Sequence, residues 1–97
     1  MDQYDVIRLK HGEIAVILQH DSFREYRTRV VAPLVRRSRG KLATSLNPVL
    51  RHARREFVLA THLLSVVSVS AIIERLGSLA DQEYAIKRAV DQLSLGV

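Results

Sequence analysis

The stretch YDVIRLKHGEIAVIL, residues 4–18, has the pattern of two short β-strands joined by a tight turn. Over residues 4–9 the side chains alternate, so that Tyr4 and Val6 lie on one face while Ile7 and Leu9 lie on the other. Residues 13–18 are apolar and rich in β-branched side chains, and Lys10-His11-Gly12 supplies a glycine turn between the two runs. This stretch therefore predicts a β-hairpin.

The segments that follow the hairpin predict more short strands. Val30-Val31 forms the centre of one, and Pro33 is expected to limit it because proline has no N–H group for a strand ladder. Strands are predicted at residues 27–34, 49–50, 56–60 and 66–73, with turns at 36–41, 47–48, 51–55 and 61–65. Since no long crossover helix fits between these strands, we expect a small barrel and not a parallel sheet.

The last third of the chain carries the signals of one helix. Ser78, followed three residues later by Asp81, fits a capping pattern. Apolar side chains then recur on one face at Leu79, Ile86, Val90 and Leu93. We expect a helix at about residues 79–93, packed on the barrel through this face and projecting at its end.

The positive charge is concentrated in the middle of the chain. The 97 residues have a net charge of +5, yet residues 24–55 alone hold ten Lys or Arg and a single acid, Glu25. Such a segment suits a polyanion, either a nucleic acid or an acidic protein, or it is a solubilising surface without a specific partner. Phe23 and Tyr26 adjoin this segment as a stacking pair, although we expect them to pack against the barrel or a dimer partner.

The sequence lacks the common motifs of catalysis and metal binding. There is no cysteine, and the four histidines have no ligand-like spacing. Neither a Gly-x-Ser-x-Gly elbow nor a phosphate-binding loop is present. We therefore expect a binding protein with no catalytic residue, cofactor or metal, and not an enzyme. The uncharged run at residues 57–73 is too short to span a bilayer, so we expect a core segment and no membrane partner.

Three stretches in order resemble the CcdB family of toxins. They are Val30-Val31-Ala32-Pro33-Leu34, Leu46-Asn47-Pro48-Val49, and the C-terminal third from Leu64 to Leu95-Gly96-Val97. The resemblance covers nearly the whole chain. It implies a single domain over residues 1–97, mainly β with a C-terminal α-helix: an SH3-like small barrel of the CcdB/PemK type at about residues 1–75 and the helix at about 79–93.

The resemblance to the CcdB family also implies a function. The chain is expected to be the toxin of a type II toxin–antitoxin system in the bacterial cytoplasm, and a homodimer. It would poison the A subunit of DNA gyrase without catalysis, by trapping the cleaved-DNA complex. A cognate antitoxin with an acidic disordered tail would neutralise it, and operator DNA would be bound only through the antitoxin complex.

In the CcdB family the residues that contact gyrase lie at the extreme C-terminus. The resemblance therefore implies that Leu95, Gly96 and Val97 contact gyrase. Leu95 stands where the family has tryptophan, and leucine supplies apolar area without an aromatic face, which predicts weaker binding to the same gyrase surface. A second set of residues is expected to contact gyrase or the antitoxin: Asp91, Ser22, Phe23, Arg36, Arg37 and Arg39.

Two alternatives stay open. A ribonuclease toxin of the MazF/PemK type on the same fold is suggested by the basic segments at residues 36–41 and 51–55. A non-toxic homologue that keeps only antitoxin binding is suggested by Leu95.

Overall fold

The computed structural model describes residues 1–38 and 43–96. Seven strands and one α-helix lie within these ranges: β1 Asp5–Leu9, β2 Ile14–Ile17, β3 Thr28–Arg36, β4 Val49–His52, β5 Arg55–Leu59, β6 Ser65–Ser68, β7 Ile72–Ser78 and α1 Glu83–Leu95. Short 3-10 turns lie at Asp21–Phe23, Thr61–Leu63, Val69–Ala71 and Ala80–Gln82. The prediction of a mainly β chain with a C-terminal helix is confirmed.

The strands form one antiparallel sheet that curls into a half-barrel, in the order β4-β5-β3-β2-β1-β7. The predicted hairpin is its centre, with Val6 opposite Val16 and Ile7 opposite Ala15. Strand β6 lies off this path and pairs with β3.

Strand β3 is longer than predicted, because Pro33 does not end it. Thr28–Val31 pairs with β6 and Leu34–Arg36 pairs with β5, and Pro33 lies in the gap between these two partners. A proline without an N–H group therefore fits in the middle of the strand. Its carbonyl still accepts a hydrogen bond from the Ala60 N–H at 2.8 Å.

The two faces of the central strands contribute to two apolar clusters, as expected from alternating side chains. The larger cluster lies under α1 and the β4–β5 hairpin and includes Tyr4, Val16, Leu59, Leu79 and Ile86. The smaller cluster, built on Ile7, Ala15, Ile17 and Val31, lies on the opposite face. Helix α1 and the small hairpin thus cover one face of the sheet.

Two predicted loop and strand boundaries are wrong. The single strand predicted at residues 66–73 is divided by the 3-10 turn Val69–Ala71, where the Ser68 hydroxyl accepts a hydrogen bond from the Ser70 N–H. The basic segment at residues 51–55 is a hairpin and not a loop. Its turn consists of Ala53 and Arg54, both with positive φ, and Arg51 and Arg55 lie in the strands.

Helix α1 begins at Glu83, four residues later than predicted. The Ser78 hydroxyl accepts from the Ala80 N–H at 3.1 Å, so this serine stabilises the preceding 3-10 turn instead of capping the α-helix. Leu79, Ile86 and Ala89 are buried, whereas Leu93, which was expected on the packed face, is 38% exposed.

Candidate functional site

The end of α1, where the sequence predicts a contact site, is exposed to solvent. Leu95 is 70% exposed, and Gly96 ends the helix in a left-handed conformation with its N–H donating to the Gln92 carbonyl at 2.9 Å. Only glycine adopts this conformation without strain, so ending the helix is by itself a sufficient reason for a glycine at position 96. Val97 lies outside the described residues.

Buried side chains hold α1 on the core and so fix where its end points. Ile86 belongs to the larger cluster, and Ala89, one turn later, is fully buried. Nearer the end, the Ser45 hydroxyl donates to the Gln92 side chain. The exposed last turn therefore extends from a helix that is anchored to the segment before β4.

Ser22 and Phe23 lie on the same side of the molecule as the middle of α1. Phe23, Tyr26, Leu64 and Val90 help to line an apolar hollow of about 440 Å³. Asp91 lines a smaller neighbouring hollow that shares Val90. The structure thus brings Phe23 and Asp91 to neighbouring hollows that share Val90, and Ser22 precedes Phe23 in the 3-10 turn Asp21–Phe23.

Phe23 and Tyr26 are not covered by the barrel of their own chain, so of the two expected packing partners a dimer partner stays a prediction. Their exposed fractions are 53% and 66%, and the two rings lie against one another with centroids 6.4 Å apart. The loop that carries them is held from below by the buried Arg29, whose guanidinium donates to the carbonyls of Arg24, Tyr26 and Thr28. Arg29 is therefore occupied within the fold and does not add to the basic surface.

Arg36 lies in a different place, at the end of β3, where it lines a hollow together with His62. A hollow of about 340 Å³, here called the His62 hollow, is lined by Val35, Arg36, Asn47, Val58, Ala60, His62 and Leu63. The Asn47 amide nitrogen lies 3.1 Å from the Leu59 carbonyl oxygen and 3.1 Å from His62 Nδ1.

The Leu59 carbonyl fixes the role of both side chains in this hollow. Because that carbonyl only accepts hydrogen bonds, the Asn47 NH₂ group must face it. The same NH₂ group then donates to His62 Nδ1, so the ring carries its proton on Nε2. His62 and Arg36 thus offer an N–H donor and a guanidinium to one hollow, a combination that suits a phosphate or a carboxylate.

A second hollow adjoins the first. It has a volume of about 440 Å³ and shares Val35 and Arg36 with the His62 hollow. Its other lining residues are Gly12, Glu13, Ile14, Pro33, Leu34, Arg55 and Phe57. We call it the Glu13 hollow, and Arg36 is the charged residue at the border of the two.

Several of the basic residues are paired within the fold. Arg37 lies 3.4 Å from the Glu56 carboxylate, and Arg24 lies 3.3 Å from Asp2 and 3.6 Å from Asp21. Apart from Arg29, whose guanidinium bonds to backbone carbonyls, the described arginines of the segment without an ion pair are Arg27, Arg36, Arg51, Arg54 and Arg55. Arg39, predicted as a contact, lies outside the described ranges. Four of the five unpaired arginines lie on the end of β3 and the β4–β5 hairpin.

His62 and Asn47 could not be recognised as a pair from the sequence. They are 15 residues apart, and Asn47-Pro48 has the appearance of an ordinary turn. Their contact depends on the 3-10 turn Thr61–Leu63 folding back on the segment before β4. Over residues 1–38 and 43–96, no three His, Asp or Glu side chains gather into a metal-binding group.

A curled antiparallel half-barrel with a helix at the end is the fold of toxins from toxin–antitoxin systems. An endoribonuclease from a mycobacterial species has 11% identity to this chain, with a TM-score of 0.82 over 100% of this chain and 92% of that one. An endoribonuclease in complex with its cognate antitoxin, also mycobacterial, has 12% identity and a TM-score of 0.83, over 100% and 96%. The Mycobacterium tuberculosis toxin MazF-mt6 has 19% identity and a TM-score of 0.72, over 93% of each chain.

The sequence defines the family within this class. The family model described as CcdB protein matches residues 3–96. This chain therefore belongs to the CcdB family, as the sequence resemblance indicated. The comparison with curated proteins finds no match.

The structural neighbours contradict the prediction that this chain is not an enzyme, because two of them are endoribonucleases on the same fold. The prediction relied on the absence of local motifs. A site that binds a phosphodiester needs only a few donors around the phosphate, and these can come from distant parts of the chain.

The described helix α1, with 13 residues, is not long and apolar enough to cross a membrane.

Proposed function

We propose that this chain is the toxin of a type II toxin–antitoxin system in the bacterial cytoplasm, neutralised by an antitoxin with an acidic, disordered tail. Membership of the CcdB family supports this proposal, and a structural neighbour was solved with its cognate antitoxin. The unpaired arginines of the β4–β5 hairpin suit an acidic partner. The antitoxin would supply the DNA contacts when the two proteins repress their operon.

We also propose a homodimer. Strand β6 and its neighbours expose Leu63, Val66 and Ile73 at 57%, 63% and 57%. Large apolar side chains exposed to this extent are typical of surfaces that a partner covers. Val66→Arg should shift the protein toward the monomer in sedimentation experiments, and a mass unchanged by this charge would contradict the assignment.

The target that the end of α1 supports best is the A subunit of DNA gyrase. The observation that carries this proposal is the exposed Leu95 on an anchored helix that ends at Gly96. An apolar side chain held at a fixed position can fill a pocket on a partner with little loss of conformational entropy. Leucine provides less contact area than the family's tryptophan, so binding is expected to be weaker.

Expression in bacteria tests the gyrase proposal in both directions. A chain that lacks residues 95–97 should restore growth and lower the amount of gyrase-linked DNA breaks. Leu95→Trp should instead strengthen the inhibition of growth and raise the amount of gyrase-linked DNA breaks, because an aromatic anchor often contributes at least about 2 kcal/mol to an interface. Ser94→Ala, also exposed in the last turn, is the matched control. Unchanged DNA breaks in the truncated chain would rule out the end of α1 as the contact.

A second candidate function is RNA cleavage, and the Arg36–Asn47–His62 arrangement favours it. In the simplest metal-free reaction the RNA 2′-oxygen attacks the adjacent phosphorus and the P–O5′ bond breaks. Water takes the proton from the 2′-hydroxyl and supplies one to the 5′-oxygen. Arg36 and the His62 Nε2–H would stabilise the charge that develops on the phosphate oxygens.

Purified protein and single-stranded RNA test the second candidate. His62→Ala should lower cleavage about 10²–10³-fold, as expected when one donor to a developing charge is lost. His11→Ala, in the exposed hairpin turn, is the control. If the wild-type protein leaves RNA intact, this candidate is excluded and the gyrase proposal is unaffected.

A further inference from the structure

The Glu13 hollow lies next to the proposed phosphate site and has a different chemistry. Ile14, Pro33 and Phe57 give it apolar walls, while Arg36, Arg55 and Glu13 provide its charged groups. Its volume of about 440 Å³ is in the usual range for a small-molecule site. A planar, mostly apolar group with polar edges fits such a space.

Arg36 relates the two hollows, because it lines both. A phosphate bound by Arg36 and His62 would therefore have one neighbouring nucleoside on the side of the Glu13 hollow. Arg55 lies on β5 two residues before Phe57, the residue that pairs with Arg36, and it lines the Glu13 hollow as well. A phosphate on the far side of that nucleoside would therefore be within the reach of Arg55. The sheet thus places two arginines on neighbouring strands around one apolar hollow.

Glu13 decides between two kinds of occupant. Its carboxylate makes no ion pair with any residue in the described ranges. An acidic antitoxin peptide in this hollow would bring further carboxylates next to it, which is unfavourable. A nucleobase with an amino group instead donates to a carboxylate, as cytosine does through N4 and adenine through N6.

The base must also be free of a duplex. A paired base must lose its stacking and pairing before it can fill a hollow, whereas an unpaired base in a single strand does not bear this cost. We propose that the Glu13 hollow binds an unpaired nucleobase of single-stranded RNA, with Arg36 and Arg55 holding the flanking phosphates and Glu13 favouring bases that carry an amino group. This inference rests on the second candidate function, since it names the substrate of that site.

Binding to an oligonucleotide that cannot be cleaved tests this inference separately from catalysis. Fluorescence anisotropy would use fluorescein-labelled 2′-O-methyl oligocytidine, oligoadenosine and oligouridine, in which the 2′-oxygen is blocked. The first two should bind more tightly than oligouridine, which presents a carbonyl where cytosine has its amino group. A duplex of the same length should bind more weakly than either.

Variants assign the contacts. Arg36→Ala and Arg55→Ala should each weaken binding about tenfold, the size of one charge-assisted contact. Each should also reduce the slope of log K against log salt by about 0.7, as expected for one single-strand phosphate. Glu13→Gln should remove the preference over oligouridine, because glutamine can also donate to a carbonyl. Arg88→Ala, on the exposed side of α1, is the charge-matched control.

Each outcome separates this inference from the proposals above. Binding without cleavage of ordinary RNA would support the hollow and exclude the ribonuclease function. Cleavage with binding that ignores Arg55 and Glu13 would overturn the hollow alone. Equal binding of duplex and single strand, or tighter binding of a Glu-rich peptide that displaces the oligonucleotide, would also overturn it.

Discussion

Replacing Tyr4 by phenylalanine removes one oxygen atom from the interior of the protein. Tyr4 is 5% exposed and belongs to the larger apolar cluster. Its hydroxyl is buried and has no hydrogen-bond partner among the residues that the structure describes. The ring itself is well packed, and phenylalanine keeps it.

The expected change in stability follows from this unsatisfied group. A buried hydroxyl without a partner destabilises a fold by about 1–3 kcal/mol relative to water. Tyr4→Phe should therefore leave the free energy of unfolding at pH 7 unchanged or increase it by about 1 kcal/mol. Tyr84→Phe is the matched control, since Tyr84 is 78% exposed and the same substitution there should have almost no effect.

The pH dependence should differ as well. Burial raises the pKa of Tyr4 above its ordinary value near 10, and the nearby charges of Glu83 and Asp21 raise it further. The unfolded chain releases this proton first, so the wild-type protein should lose stability as the pH rises through about 10. The loss continues up to the folded-state pKa, and Tyr4→Phe removes it.

Urea unfolding at fixed protein concentration, at pH 7 and in steps above pH 9, measures both effects. The concentration is held constant because dimerisation changes apparent stability. A loss of more than about 1 kcal/mol at pH 7 would show that the hydroxyl makes a hydrogen bond in the folded protein. Parallel alkaline curves for wild type and Tyr4→Phe would refute the role of Tyr4 in the pH dependence.

Four further substitutions test the packing of the fold by urea unfolding. Gly77→Ala should destabilise by about 1–3 kcal/mol, because Gly77 has a φ of +153° and an added Cβ would lie 2.9 Å from His52 Cε1. Gly12→Ala, with a φ of +89° but open space around it, should cost less, and equal costs would show that the His52 contact is unimportant. Ile86→Ala should cost about 2–5 kcal/mol as a buried large-to-small change, and a loss below about 1 kcal/mol would mean that α1 is not docked as described. Thr61→Val should be neutral or stabilising, since the buried Thr61 hydroxyl has no partner in the described parts of the chain, and a clear loss would reveal one.

Much of the sheet could be predicted because its strands are specified locally. The first hairpin carries its alternation and its turn within residues 4–18, and its register follows from them. The interruption at Val69–Ala71 could not be predicted, since Ser68 and Ser70 fit the alternation of a continuous strand. The Ser68 hydroxyl instead bonds to the hydroxyl and N–H of Ser70, and these bonds compete with the strand ladder for the backbone. Which of the two arrangements forms depends on the rest of the fold.

The start of α1 illustrates the same limit at a helix end. Ser78 and Asp81 have the spacing of a capping pair, and apolar periodicity begins at Leu79. In the fold, β7 continues through Ser78 and the Leu79 N–H donates to the Tyr4 carbonyl at 2.8 Å. Pairing with the first strand therefore occupies the backbone where the helix was expected to start, and the 3-10 turn follows before α1 begins.

The segment before β4 supports both proposed binding surfaces, the end of α1 and the His62 hollow, through contacts that are distant in the sequence. Neither surface could therefore be located fully from the sequence. Ser45 bonds to Gln92 and so anchors the end of α1, while Asn47, two residues later, orients His62. The Thr44 hydroxyl accepts from the Asn47 N–H at 2.9 Å and holds these residues in a turn. One short turn thus supports the helix end proposed for gyrase and the hollow proposed for RNA, through different side chains. Ser45→Ala should therefore weaken the anchoring of the α1 end proposed to bind gyrase, and Asn47→Ala should weaken the orientation of His62 in the hollow proposed to bind RNA. The two proposed functions can thus be perturbed separately within a single fold.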